Sequence, residues 1–154
     1  MEFREITEID YKELEYLETI DKESMGESFA NIYTIKSIIE AGKVIVGEED
    51  GEIVAVSQLL RNMEDCKRAQ LFGIYIVEKF RGRGFGEKLL QYSLFYLKKI
   101  GIEKCDLSVD PENIAAIKLY EKNGFKVIKK SLNYYGKDIN RLIMEIEFQS
   151  AQKL

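Results

Sequence analysis

Histidine is absent from this 154-residue chain. Its absence removes a histidine general base, histidine activation of a nucleophile and histidine-ligated metals at once. Cysteine is scarce: Cys66 and Cys105 are the two present, far apart and without metal-ligand spacing. They read as reduced thiols of a cytoplasmic protein. No apolar run approaches the length of a membrane span. Residues Met1 to Asp10 are mixed and acidic, which does not read as a signal peptide. The formal net charge of −4 gives no global attraction to nucleic acid. Repeats, low-complexity tracts and linkers are missing too. What remains is an ordinary globular composition, 45% hydrophobic, in a length that suits one domain over residues 1–154.

Hydrophobic periodicity and breakers give an element order. Phe3 to Ile6 reads as a strand. Asp10 with Glu13 has the form of a capping box opening a helix over Tyr11 to Ile20. A polar break follows at Glu23, Ser24, Gly26 and Glu27. Phe29, Ile32, Ile35, Ile38 and Ile39 recur at helical spacing, with Gly42 as the stop. Val44 to Val46 and Ile53 to Val56 read as strands joined by Asp50-Gly51, a strong hairpin signal. Arg61 to Lys67 is a polar loop. Leu71 to Val77 is apolar almost throughout and so reads as a central strand. A helix with Leu89, Leu90, Leu94, Leu97 and Ile100 then runs to Gly101. Cys105 to Val109 is a strand broken by Asp110-Pro111. Asn113 caps a helix over Ile114 to Lys122, ended by Asn123-Gly124. Phe125 to Leu132 and Leu142 to Phe148 are two last strands, with Tyr134, Tyr135 and Gly136 in the loop between them. Strand, two helices, three strands, helix, strand, helix, two strands is an α/β or α+β domain with a mixed sheet.

The most informative stretch is Arg81-Gly82-Arg83-Gly84-Phe85-Gly86. It sits between the apolar strand and a helix. Strand, glycine turn, helix is the arrangement that points backbone N–H groups at an anion. Glycines let the backbone approach a phosphate without a Cβ in the way, and two arginines add charge and forked donors. The physical expectation is a pyrophosphate cradle. A tight surface turn with solvated arginines is the plainer reading of the glycines and arginines alone.

Both this motif and a second one resemble the GCN5-related N-acetyltransferases, which move an acetyl group from acetyl-CoA to an amine. Arg81 to Gly86 is similar to that family's Arg/Gln-x-x-Gly-x-Gly/Ala signature, with Ile74-Tyr75-Ile76 as the strand leading into it. Asn113, Ala116, Tyr120 and Asn123-Gly124-Phe125 are similar to the second family motif, spacing included. The resemblance covers nearly all of the chain. It implies an acyl-CoA N-acyltransferase fold, a mixed, mostly antiparallel sheet of about seven strands flanked by about four helices. It also implies acetyl-CoA as co-substrate and no metal, and leaves a homodimer open; charge and hydropathy point to no nucleic-acid or membrane partner.

Residue roles follow from the resemblance. The backbone around Gly82, Gly84, Phe85 and Gly86 takes the pyrophosphate, with Arg81 and Arg83. Ile74, Ile76 and Val77 pair through their backbone with the pantetheine arm, a role compatible with packing in the sheet core. Asn113 bonds the same arm besides capping its helix. Tyr120 protonates the leaving thiolate; a tyrosine in a helix without the motif would read as core. A thiol near 8.5 and a phenol near 10 make that transfer slightly uphill, yet a phenol hydrogen bond still stabilises developing thiolate charge.

The general base stays open. A lysine-like amine is only about 0.04% neutral at pH 7, whereas an α-amino group is about 17% neutral and manages with water. Glu27 and Glu23, in the break that borders the acceptor site in the family, are the candidate carboxylates; a water chain is equally compatible. Tyr134 and Tyr135 are similar to the tyrosine-bearing loop of the branch that acetylates protein N-termini, including ribosomal-protein alanine acetyltransferases. That branch carries a glutamate five residues before the motif asparagine, where this chain has Ser108. Polyamine, amino acid, aminoglycoside and peptide terminus all remain as acceptors.

Other classes fit less well. A dinucleotide-binding oxidoreductase requires Gly-x-Gly-x-x-Gly spacing, which is not present, and a second nucleotide-binding half. No Gly-Lys-Ser/Thr ends the loop, so it is no nucleotide triphosphatase. A non-catalytic acetyl-CoA sensor on the same fold is the remaining alternative, since fold does not fix function.

Overall fold

Asp10 starts the first helix by accepting the Glu13 N–H at 2.8 Å, while the Glu13 carboxylate pairs with Arg4 rather than completing the box. In this computed structural model, which describes residues 1–149, α1 (Tyr11–Met25) runs past Ile20. The sequence reading placed a break at Glu23 and Ser24; both are helical. Their side chains are solvent-tolerant on an amphipathic helix, and the helix ends instead at Gly26, whose φ is +59°. A short 3-10 turn, Gly26–Ser28, carries Glu27. The second helix, α2 (Ile32–Ala41), begins after Phe29 rather than at it. Asn31 is the cap, accepting the Thr34 N–H at 3.0 Å.

The strands are β1 (Glu2–Ile6), β2 (Lys43–Glu49), β3 (Glu52–Arg61), β4 (Arg68–Ile76), β5 (Lys104–Val109), β6 (Lys126–Ser131) and β7 (Arg141–Glu147). Two further helices are α3 (Phe85–Lys99) and α4 (Ile114–Lys122). The expected element order therefore holds. Arg61 belongs to β3 instead of the following loop, and α3 ends one residue before Ile100, which is exposed. Strand order in the seven-stranded sheet is β1-β2-β3-β4-β5-β7-β6. β4 and β5 pair parallel, whereas β1 with β2, β2 with β3, β5 with β7 and β6 with β7 pair antiparallel. Seven strands of mixed direction with four helices are the fold that the resemblance implied. β4 is indeed central, but it alternates: Ala69, Leu71 and Tyr75 are buried while Phe72 is 42% exposed.

Two compact units make up the chain: Met1–Leu60 with Phe72–Phe95, and Arg61–Leu71 with Tyr96 onward. The first has a core of Ile6, Leu17, Ile20, Ile35, Ile38, Val44, Val46 and Val56. Burying one such aliphatic side chain contributes about 1.5–3 kcal/mol. Gly42 closes α2 against this core. A Cβ there would stand 2.3 Å from the Leu59 carbonyl oxygen, a backbone atom that cannot swing aside. Gly42→Ala is expected to cost about 2–3 kcal/mol, seen as a lower urea midpoint at unchanged slope.

In the second unit, Leu107, Val109, Phe125 and Met144 are buried. Arg68 spans the carboxylates of Asp106 at 3.0 Å and Glu145 at 2.7 Å across β4, β5 and β7. Cys105 is buried and its thiol is pushed up to about 12 by burial, whereas Cys66 is exposed. β6 is an edge strand, as β1 is at the other end of the order, and is exposed from Lys126 to Lys130, with a register irregularity between Val127 and Lys129. No helix among the described residues is long and apolar enough to cross a membrane.

Candidate functional site

After β4 the Val77 N–H still donates to the Val54 carbonyl at 2.9 Å. A 3-10 turn, Glu78–Phe80, then lifts the chain towards α3. Arg81 closes this turn by donating from Nε to the Ile76 carbonyl at 3.0 Å. Gly82 and Gly84 both have φ of +76°, a left-handed backbone that costs residues with a Cβ. Among the described residues, no atom beyond the adjoining residues lies within 4 Å of where a Cβ would stand at either, so that face of the turn is open. The Lys88 N–H reaches the Gly84 carbonyl at 3.3 Å. N–H groups ahead of it, from Phe85 and Gly86 onward, belong to the first helical turn and lie outside the i→i−4 ladder.

Positive charge gathers on this turn. The Lys79 ammonium and the Arg83 guanidinium lie 4.9 and 5.3 Å from the centre of the Phe80 ring, and Lys88 lies 5.9 Å from that of Phe85. Forward-facing amides, cations and open glycines fit a pyrophosphate. Ile74, Ile76 and Val77, assigned to the pantetheine arm, are half-buried. They follow in sequence the three-pair β4–β5 ladder, which ends at Gln70↔Asp106.

The second unit places the other motif. Asn113 accepts the Ala116 N–H at 3.2 Å and so does cap α4. Tyr120 is buried, edge-on to Phe125 at 5.7 Å between ring centres. Burial pushes its phenol up to about 12. Ser108, where the N-terminal branch carries glutamate, has its hydroxyl 3.1 Å from that of Tyr135. The loop bearing Tyr134 and Tyr135 is well braced. The Tyr134 N–H donates to the Ile139 carbonyl at 2.8 Å, the Asp138 N–H to the Asn133 side chain at 2.7 Å, and the Arg141 guanidinium covers the Tyr135 ring at 5.2 Å.

Of the two candidate carboxylates, Glu23 lines a cleft of about 520 Å³ together with Tyr16, Ser24, Glu52, Val77 and Glu78. Glu27 is exposed and does not line it. Within the cleft, Glu52 is paired with Lys79 at 2.6 Å, and the Tyr16 phenol is raised by burial and by the Glu52 charge. Tyr16, Glu52 and Glu78 were not among the sequence candidates. They come from three separate elements, and no local pattern announces their convergence. The Ser108–Tyr135 bond was equally invisible, being a contact between residues 27 positions apart.

Known proteins resemble this chain in sequence and in fold. N-alpha-acetyltransferase of Sulfurisphaera tokodaii is 29% identical over 128 residues, covering 76% of this chain and 77% of that protein. The ribosomal protein bS18-alanine N-acetyltransferase of Haemophilus influenzae is 42% identical over 69 residues, 45% of this chain and 47% of that one. Mycothiol acetyltransferase of Propionibacterium freudenreichii is 27% identical over 95 residues, 61% of this chain but only 30% of its own length. The chain thus spans less than half of the last two relatives. Among solved structures, the ribosomal-protein-S18-alanine N-acetyltransferase of Escherichia coli superposes with a TM-score of 0.81 at 22% identity, covering 99% of both chains. A Bacillus subtilis acetyltransferase in complex with CoA gives 0.78 at 14% identity over 96% of this chain and 98% of that one. A model described as the Acetyltransferase (GNAT) family matches residues 3–125. With that match over most of its length, the chain belongs to the GNAT family of acetyltransferases.

Proposed function

We propose that this protein is an acetyl-CoA-dependent N-acetyltransferase acting as one domain on the α-amino group of a peptide or protein N-terminus. The observation that carries the acceptor class is the braced loop of Tyr134 and Tyr135, bonded to Ser108. Aromatic residues held rigidly provide an extended chain with contact area at low entropic cost. The α-amino group also suits a chain without histidine, because about a sixth of it is neutral at pH 7 and no strong base is required. Relatives acting on N-termini support the same choice.

Acetyl-CoA supplies an activated thioester, so no covalent enzyme intermediate is needed. The turn from Arg81 to Gly86 holds the pyrophosphate, and Ile74, Ile76, Val77 and Asn113 hold the arm. The amine nitrogen forms the new C–N bond as the C–S bond breaks. Its surplus proton leaves through water, Glu27 or Glu23, and Tyr120 stabilises the departing thiolate. With its phenol near 12, full transfer to a thiol near 8.5 is uphill by roughly 5 kcal/mol. Tyr120 therefore acts mainly as a hydrogen-bond donor.

A second reading is favoured by the acidic cleft: Glu23, Glu52 and Glu78 would suit a small polycationic amine. Thiol release from acetyl-CoA across peptides with varied N-termini, N-acetylated lysine peptides, polyamines and free amino acids separates them. Turnover confined to free N-termini supports the first reading. Turnover confined to polyamines replaces it with the second. Tight CoA binding without turnover on any amine favours the sensor.

A further inference from the structure

Helix α1 grips the start of its own continuation. Glu18 Oε1 accepts the Ile32 N–H at 3.0 Å, Asp21 Oδ1 accepts the Ala30 N–H at 2.7 Å, and the Lys22 ammonium lies 5.6 Å from the Phe29 ring centre. Spacings of three and four put these residues on one helix face. The connector they hold includes the turn that bears Glu27. Of the three, only Asp21 is buried, at 1% exposure. Its other oxygen accepts the Gln58 side-chain N–H at 2.7 Å. Gln58 is buried as well, and its amide oxygen stands 2.7 Å from where a Cβ on Gly73 would be. A side chain at residue 73 would have to displace that amide oxygen. Tyr75, two residues along β4, buries its hydroxyl facing the same carboxylate, which together with burial raises the phenol. Burial pushes the Asp21 carboxyl up, against the bonds from the Ala30 N–H, the Gln58 amide and the Tyr75 hydroxyl that favour its charge. A buried carboxylate is costly unless such bonds are made, and a cap for one N–H at an exposed helix end would need none of this burial.

We propose that Asp21 is a positioning residue for the acceptor. One oxygen seats the connector over residues 26–30. The other holds Gln58, whose amide stands close beside Gly73 on the strand running into the phosphate cradle. The role rests on the reading above, in which Glu27, carried by this connector, is one route for the acceptor's surplus proton.

The test compares Asp21→Asn with the wild-type chain, using the peptide acceptor of best turnover. Hydrogen exchange at residues 26–31 should quicken about tenfold. The acceptor KM should rise about tenfold with the acetyl-CoA KM within about twofold of wild type. Glu18→Ala removes a grip at the helix surface with no buried charge at stake. It should move both readouts in the same direction by about threefold. Unchanged exchange in both variants overturns the seat. Faster exchange with an unchanged acceptor KM overturns the acceptor role, and so does an equal rise of both KM values. Wild-type turnover, measured beforehand, decides the function itself and is read separately from the exchange.

Discussion

Tyr120→Phe should lower kcat about a hundredfold while leaving acetyl-CoA affinity unchanged, in line with losing one preorganised donor to a developing anion. The substitution removes one oxygen and keeps the ring against Phe125, so the fold is spared. The pH dependence adds an independent check. The phenol stays protonated until about pH 12 in the folded chain, so its ionisation cannot make kcat fall between pH 8 and 11. Its contribution to stability has a definite sign. A folded pKa raised above the unfolded value near 10 contributes stability that is fully present below pH 10. It is lost as pH rises through about 12, for a total of roughly 3 kcal/mol. Tyr120→Phe should flatten that part of the alkaline unfolding profile. Wild-type turnover from the variant with a good peptide substrate would end the proposed role of the hydroxyl.

Arg83→Glu should weaken CoA binding at least tenfold by calorimetry. A charge-assisted bond to phosphate contributes about 1.5–3 kcal/mol, and reversing the charge adds repulsion. Tenfold, about 1.4 kcal/mol, is therefore a lower bound. Arg83 is the better target than Arg81, whose Nε is engaged with the Ile76 carbonyl; changing Arg81 would alter both the turn and the charge. Because Arg83 is exposed, the difference between variant and wild type should shrink as salt is raised. Equal affinities at low salt would remove the cradle assignment.

Local chemistry explains what could be read in advance. The span Ile114–Lys122 was legible to the residue because a cap, Asn113, and a stop, Asn123-Gly124, bracket it. The hairpin at Asp50-Gly51 was legible because both residues take positive φ there. The glycine turn was legible because its use of backbone is written in residue type. Helix α1 was read too short because exposed polar residues near a helix end look like the loop beyond it. The insertion of β7 between β5 and β6 is set by pairing partners far apart in sequence and has no local mark. Asp21 looked like one acid among many on a charged helix; only its burial beside Gln58 distinguishes it. Gly73, in the middle of an apolar strand, was the one hint that something approaches there closely.

The β6 edge of the sheet carries a consequence for behaviour at high concentration. β6 offers its outer backbone groups to any strand that could align with them, and Val127 and Ile128 are exposed beside them. Lys126, Lys129 and Lys130 stud the same five residues, and the ladder slips between Val127 and Lys129. An incoming copy of this strand would bring three lysines against three lysines across a bent template. Stacking of identical edges into filaments is thereby opposed by charge and by shape. A segment rich in carboxylates would meet no such barrier.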